Sequence, residues 1–174
     1  KKETFNVKKK IKKIFMQLYK RINFPNKYFV HRDYHVQNLM LVGKKIGIID
    51  SQDALIGNPA YDLTSLIDDV RIKTSKKLKA KIYNYYVKNF FSGDKEKIKK
   101  FLQDFNILSV QRLIKIIGIF SRLYLRDKKN KYLKLIPYTW QLLEMRINSK
   151  LFFDLKKVLD QNIPKKFRKK IIYR

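Results

Sequence analysis

Along the first part of the chain, apolar residues recur at helical spacing. Between Lys8 and Lys20, Ile11, Ile14, Phe15, Leu18 and Tyr19 share one face, which predicts a surface helix; Asn23, Pro25 and Asn26 end it. The short apolar stretch Tyr28-Phe29-Val30 leads into the polar run His31-Arg32-Asp33-Tyr34-His35-Val36-Gln37-Asn38. Two further apolar segments, Leu39-Met40-Leu41-Val42 and Ile46-Gly47-Ile48-Ile49, are separated by Gly43-Lys44-Lys45 and predict a small hairpin. The polar run and Asp50-Ser51-Gln52-Asp53 flank that hairpin.

A turn-like stretch follows through Gly57, Asn58 and Pro59, where Asn58 can cap a helix and Pro59 can occupy its first position. Tyr61, Leu63, Leu66, Ile67 and Val70 then form an apolar stripe, and a second helix is expected after Ser75, stopping near Ser92-Gly93. From Phe101 to Leu125 the chain is apolar around much of a helical circumference, as in a helix inside a bundle. Within it Gly118 marks either close helix packing or simple tolerance. Another helix is expected from Leu133 to Met145, kinked or begun by Pro137, and Lys165 to Lys170 read as a basic end that frays. No internal repeat and no interdomain linker is visible.

These elements suit one mostly helical α+β domain, and the 174 residues are enough for a sizeable core. Hydrophobic residues at 45% and only five glycines and four prolines argue against disorder. Lysine or arginine interrupts every candidate apolar run, so no transmembrane segment is expected. Cysteine is absent, which removes disulfides, thiolate metal sites and cysteine nucleophiles; a cytoplasmic location is the expectation. The sequence opens on Lys1 without a cleavable-signal pattern, and the expectation is a piece of a longer chain.

Forty-two lysines and arginines against fourteen acids give a formal charge of +28. Such a charge admits nucleic acid or an anionic surface as partner, or help in attracting phosphorylated ligands. It also has a bland origin, because lysine is abundant here beside isoleucine, asparagine, tyrosine and phenylalanine, all encoded by A/T-rich codons. Charge alone selects no mechanism.

Spacing is more informative. Phosphoryl transfer needs a carboxylate to orient the attacking hydroxyl and accept its proton, together with oxygen ligands that hold magnesium against nucleotide phosphates. Asp33 suits the first role, and Asn38 and Asp50 the second, because the hairpin can return Asp50 beside the loop that carries the other two. His31 is expected to brace the strand-to-loop junction. His35 can bond within the loop or touch phosphate, and Arg32 can pair with a carboxylate near Asp50 or Asp53 or stay free.

The stretch His31 to Asn38 resembles the catalytic loop of the aminoglycoside phosphotransferase and choline kinase superfamily, which shares the protein-kinase plan. The stretch Ile48 to Leu63 is similar to that of bacterial kinases acting on the anomeric hydroxyl of N-acetylmuramate and N-acetylglucosamine in cell-wall recycling, as is the helix Gln111 to Leu123. The resemblance implies the C-terminal lobe of a protein-kinase-like fold with a small catalytic hairpin. It further implies Asp33 as catalytic base, Asn38 and Asp50 as magnesium ligands beside ATP, and Asp62 as a structural acid that steadies the loop. Gln52 and Asp53 occupy places characteristic of the subgroup. Ser51 and Gln52 stand where protein kinases carry Phe-Gly, which argues against a protein kinase.

Neither a Gly-x-Gly-x-x-Gly phosphate loop nor a Val-Ala-Ile-Lys-like strand is present, so the nucleotide-binding N-terminal lobe is absent from residues 1–174 and is expected to be required. The acceptor is expected to be a small sugar or an aminoglycoside. A truncated, non-catalytic module that binds nucleic acid or an anionic surface is the alternative.

Overall fold

The computed structural model describes residues 2–169, with side chains from Asn6 onward. It is α+β and mostly helical, with a small hairpin, the class that the sequence predicts. The chain forms two compact units, one of residues 22–109 and the other of the two flanking stretches.

In the unit of residues 22–109, β1 (Tyr28–Val30) pairs antiparallel with β4 (Leu55–Gly57), setting Tyr28 opposite Gly57 and Val30 opposite Leu55. The β4 residues, expected within a turn-like stretch, form a strand instead. Between these strands, β2 (Leu39–Val42) and β3 (Lys45–Ile48) make the expected hairpin, in register Leu39 to Ile48 and Val42 to Lys45. Gly43 turns it with φ +60°, a conformation glycine adopts without strain.

Next comes α2 (Ala60–Ile67). The Asn58 side chain accepts from the Ala60 N–H at 2.9 Å, and Pro59, expected as the first helical residue, stands one position earlier, at the cap, where its missing N–H costs nothing. At the other end of α2 the buried Lys79 ammonium donates to the Ile67 carbonyl and to Asp68 Oδ1, at 3.2 Å from the latter. A cation there satisfies a carbonyl that the helix leaves without a partner. The Ser109 hydroxyl donates to the second Asp68 oxygen at 2.6 Å. Ser75 caps α3 (Lys76–Phe91) by accepting from the Leu78 N–H, and Ser92 ends it in a left-handed conformation.

The helix expected over Phe101 to Leu125 is longer, running as α4 from Lys95 to Asp127. Its stretch 104–113 has no exposed residue, as a bundle-interior helix requires. Leu63, Ile67, Phe91, Phe101 and Phe105 pack together in the core of this unit, with Phe24 and Tyr86 against them. Asp104, wholly buried in α4, is the polar centre of that core. One of its carboxylate oxygens accepts from the Asn23 N–H (2.8 Å) and side chain (2.9 Å); the other accepts from the Phe24 N–H (2.8 Å) and the Asn58 side chain (2.9 Å). This centre fixes both the loop before β1 and the residue that caps α2.

The second unit contains α1 (Lys2–Tyr19), whose apolar face with Leu18 packs on α6 (Phe153–Asn162). Residues Asn130–Leu135 form a 3-10 turn, and α5 (Ile136–Arg146) carries Pro137 as its second residue, so this proline lies in the first turn rather than kinking the helix. Around Gly118 an added methyl would meet nothing within 4 Å, which removes close packing and leaves tolerance. The expected frayed end is also corrected. Residues Lys165–Lys169 form the short helix α7, anchored by Arg168, which is 2% exposed. Its guanidinium reaches Asp160 at 2.8 Å, Glu144 at 3.2 Å and the Ile163 carbonyl at 2.8 Å, and lies 4.9 Å from the Trp140 ring centre. Lys170 lies outside the described residues. Among the described residues no helix is long and apolar enough to cross a membrane.

Removing the Asp104 carboxylate would leave several interior donors without an acceptor. Asp104→Ala is expected to lower unfolding free energy by about 3 kcal/mol, read from the urea midpoint and slope, and a loss below about 1 kcal/mol would show that the network is dispensable.

Candidate active site

The polar run after β1 folds as a tight loop and a 3-10 turn, Val36–Asn38. Its first residues are held by α2. One Asp62 oxygen accepts from the His31 N–H at 2.7 Å and the other from the Arg32 N–H at 2.9 Å. Arg32 has φ +74°, a left-handed value that a side chain disfavours, so the backbone there needs such an anchor. The His31 ring is buried and bonds through Nε2 to the Ile49 carbonyl at 2.9 Å, linking the start of the loop to the end of the hairpin. With that carbonyl as acceptor, Nε2 carries the proton, and Nδ1 has no hydrogen-bond partner among the described residues.

Past the bend, the Asp33 carbonyl accepts both the His35 N–H at 2.9 Å and the Asn38 side-chain amide at 3.0 Å. The Asp33 carboxylate belongs to a half-buried residue, while His35 is buried at 5% exposure. Asn38 is also buried, and its backbone carbonyl accepts from the Ile49 N–H at 3.1 Å. That bond sets the next residue, Asp50, alongside. The Asn38 amide nitrogen is 3.5 Å from Asp50 Oδ2, and the Gln52 amide donates to Asp50 Oδ1 at 2.7 Å. Asp50, like Arg32, is left-handed, with φ +69°.

Asp33, Asn38 and Asp50 are therefore joined through one amide, with Gln52 at its edge. Asp53 differs: it takes part through its backbone carbonyl, which accepts from the Arg32 guanidinium at 3.2 Å. The expected pairing of Arg32 with a carboxylate is corrected to this contact, and Asp53 itself is exposed. The left-handed turn at Arg32 turns its N–H to Asp62, and its guanidinium reaches the Asp53 carbonyl.

The donor set suits a hard cation. The amide nitrogen of Asn38 turns toward Asp33 and Asp50, so Oδ1 is the atom of this side chain that could meet a cation, and magnesium prefers such oxygens. No cluster of three or more histidine or carboxylate ligands occurs among the described residues.

Two features escaped the sequence reading. Asp104 supports the site through Asn58, and its signal is a carboxylate within an otherwise apolar helix. Tyr34, Tyr85 and Tyr86 share a pocket wall beside the loop. Adjacent aromatics such as Tyr85-Tyr86 exceed one helical stripe, and that excess is the available sign.

A mostly helical fold with a small hairpin is consistent with a kinase-like lobe. The sequence pattern of the phosphotransferase enzyme family matches residues 20–100, which include all of these site residues. The chain resembles the aminoglycoside phosphotransferase and choline kinase superfamily and is related to bacterial amino-sugar kinases at moderate identity. It is 32% identical over 146 residues to an N-acetylmuramate/N-acetylglucosamine kinase of Caulobacter vibrioides, an alignment covering 81% of this chain and 39% of that protein. A protein of the same name from Neisseria meningitidis serogroup B is 41% identical over 114 residues, covering 64% and 34% of the two chains. For one from Pseudomonas aeruginosa the figures are 37% over 122 residues, 68% and 36%. The chain spans less than two fifths of the length of these relatives.

Removing the anchor tests the loop geometry directly. Asp62→Ala is expected to accelerate amide hydrogen exchange at His31 and Arg32 by roughly tenfold or more, since each loses an acceptor bond worth about 1.5–3 kcal/mol. Exchange at the parent rate would show that the loop holds itself.

Proposed function

We propose that this chain supplies the catalytic lobe of an ATP-dependent phosphotransferase whose acceptor is a small-molecule hydroxyl, specifically the anomeric hydroxyl of an amino sugar such as N-acetylmuramate or N-acetylglucosamine. The observation that carries this reading is the Asn38 amide, bonded to the Asp33 carbonyl and 3.5 Å from the Asp50 carboxylate. It ties the residue that would handle the hydroxyl to the pair that would hold the metal. The names of the relatives support the choice of acceptor.

In this mechanism Asp33 accepts a hydrogen bond from the sugar hydroxyl and aims its lone pair. It takes the proton as the new oxygen–phosphorus bond forms and the bond to the nucleotide's leaving oxygen breaks. Asn38 Oδ1 and Asp50 would hold magnesium, which when bound would supply positive charge against the nucleotide phosphates. Asp62 keeps the His31-Arg32 backbone from drifting, so that Asp33 stays within reach of the acceptor. Gln52 fixes the rotation of the Asp50 carboxylate. Positioning both donor and acceptor also requires a nucleotide-covering lobe in addition to these residues.

The test joins residues 1–174 to the nucleotide lobe of the Caulobacter relative and follows sugar phosphorylation with ATP and magnesium. Asp33→Ala is expected to lower kcat by about 10²–10⁴-fold. Asn38→Ala is expected to raise the magnesium concentration needed for half-maximal rate. Turnover by Asp33→Ala at the parent rate would remove the base, and phosphorylation of aminoglycosides but not amino sugars would reassign the acceptor.

A further inference from the structure

In the unit of the two flanking stretches, the end of α4 meets α5 and α7 around an open pocket of about 370 Å³. All the residues that line it belong to this unit, and its volume suits one small molecule. Tyr124 and Leu125 of α4, Pro137 and Trp140 of α5 and Phe167 of α7 are among its walls.

Those walls are apolar and held in place. Trp140 is fixed by Arg168, whose guanidinium lies 4.9 Å from the ring centre and is itself tied to Asp160 and Glu144. The Ser121 hydroxyl, also in the lining, donates to the Ile117 carbonyl of its own helix at 2.8 Å. The mouth is open to water: Leu125 is 68% exposed and Phe167 48%. Covering such a surface with hydrocarbon is favourable in proportion to the area removed from water.

Charge decides which hydrocarbon. None of the lining residues is charged, yet their neighbours are basic. The Lys166 ammonium lies 5.1 Å from the Phe167 ring centre, so one cation stands beside the lining. Exposed Lys128 and Lys129 follow α4, and exposed Lys134 falls between the lining residues Leu133 and Ile136. Residues 110–169 hold four acids, and three are engaged: Asp127 by Arg126 at 2.6 Å, and Glu144 and Asp160 by Arg168. The hydrogen bond from Arg126 holds the Asp127 carboxyl below its usual range, and the charges of Arg126, Lys129 and Arg122 add to the effect. Three cations thus surround one acid at this end of α4. A cationic ligand would be repelled there, whereas an apolar body with an anionic head meets both the walls and the surplus charge.

We propose that this pocket takes the alkyl chain of a free, single-chain amphiphile with an anionic head, the chemistry of a medium-chain fatty acid, and that the head lies among the neighbouring lysines. The site shares no residue with Asp33, Asn38 and Asp50, and it stands whether or not the chain transfers phosphoryl groups.

Trp140 is the one tryptophan of the chain, so its fluorescence reads the pocket. The test titrates the full chain at low salt with terminally brominated undecanoate, whose bromine quenches a nearby indole, below its micellar concentration. Saturable quenching is expected, and unbrominated undecanoate is expected to reverse it. From octanoate to undecanoate, competition is expected to strengthen roughly three- to fourfold per methylene, the value of burying one CH₂. Lys166→Glu is expected to weaken the carboxylate roughly three- to tenfold while leaving undecanol little changed, because it reverses one exposed charge. Leu125→Ala is expected to weaken both ligands roughly three- to tenfold. Both positions are exposed, and far-UV circular dichroism checks that each variant keeps its helices. The proposal is overturned by the absence of saturable quenching, by equal or tighter binding of dodecyltrimethylammonium, or by indifference to both variants. Quenching by brominated phospholipid vesicles but not by the free carboxylate would assign the surface to a membrane and overturn it as well. So would a Trp140 signal that follows protein concentration without amphiphile, which would assign the surface to a second copy of the chain.

Discussion

A single carboxylate sets the course of the chain through the site. Asp62 receives two successive backbone N–H groups, from His31 and Arg32, and the geometry that allows this puts Arg32 at φ +74°. A left-handed non-glycine residue costs about 1–2 kcal/mol, and two charge-assisted hydrogen bonds offset that amount. Everything after the bend follows from it: the Asp33 carbonyl faces the Asn38 amide, Asn38 takes the Ile49 N–H, and Asp50 emerges beside it. The second left-handed residue, Asp50, sits at the far side of the same hairpin, so strain on both sides is concentrated where chemistry is expected.

That anchor is itself supported from below. Asp62 stands in the first turn of α2, whose position depends on Asn58, and Asn58 is tied to the buried Asp104. The polar path from α4 to the loop is short and passes through fully bonded groups. In a low-dielectric interior such groups are strong when satisfied and costly when broken, which favours one arrangement over its neighbours.

Much of this architecture is legible in the sequence, for identifiable reasons. Helices α1, α3 and α4 are written in the spacing of apolar side chains, and the hairpin in two apolar runs around Gly43. The pairing of β1 with β4 is not legible, because Leu55 and Ile56 are exposed and a three-residue strand has no room for alternation. Arg168 reads as one more cation in a basic tail; its burial depends on Trp140, Glu144 and Asp160, which are distant in sequence. At the site, residue types and spacing single out Asp33, Asn38 and Asp50, and the family resemblance adds Asp62. The backbone angle at Arg32 is invisible in the sequence, and so therefore is the destination of its guanidinium.

The hairpin has a further consequence, for how copies of the chain behave toward one another. Among the described residues strands β2 and β3 pair with each other and with no other strand, and Met40, Leu41, Val42, Ile46 and Ile48 are all exposed, so apolar side chains accompany the outer backbone edges of this hairpin. Such edges invite sheet-to-sheet association between molecules. The formal charge of +28, with Lys44 and Lys45 at the hairpin turn, opposes that by mutual repulsion. Because salt shortens the reach of that repulsion while leaving apolar attraction in place, the chain's colloidal stability is tied to ionic strength rather than to its folding free energy.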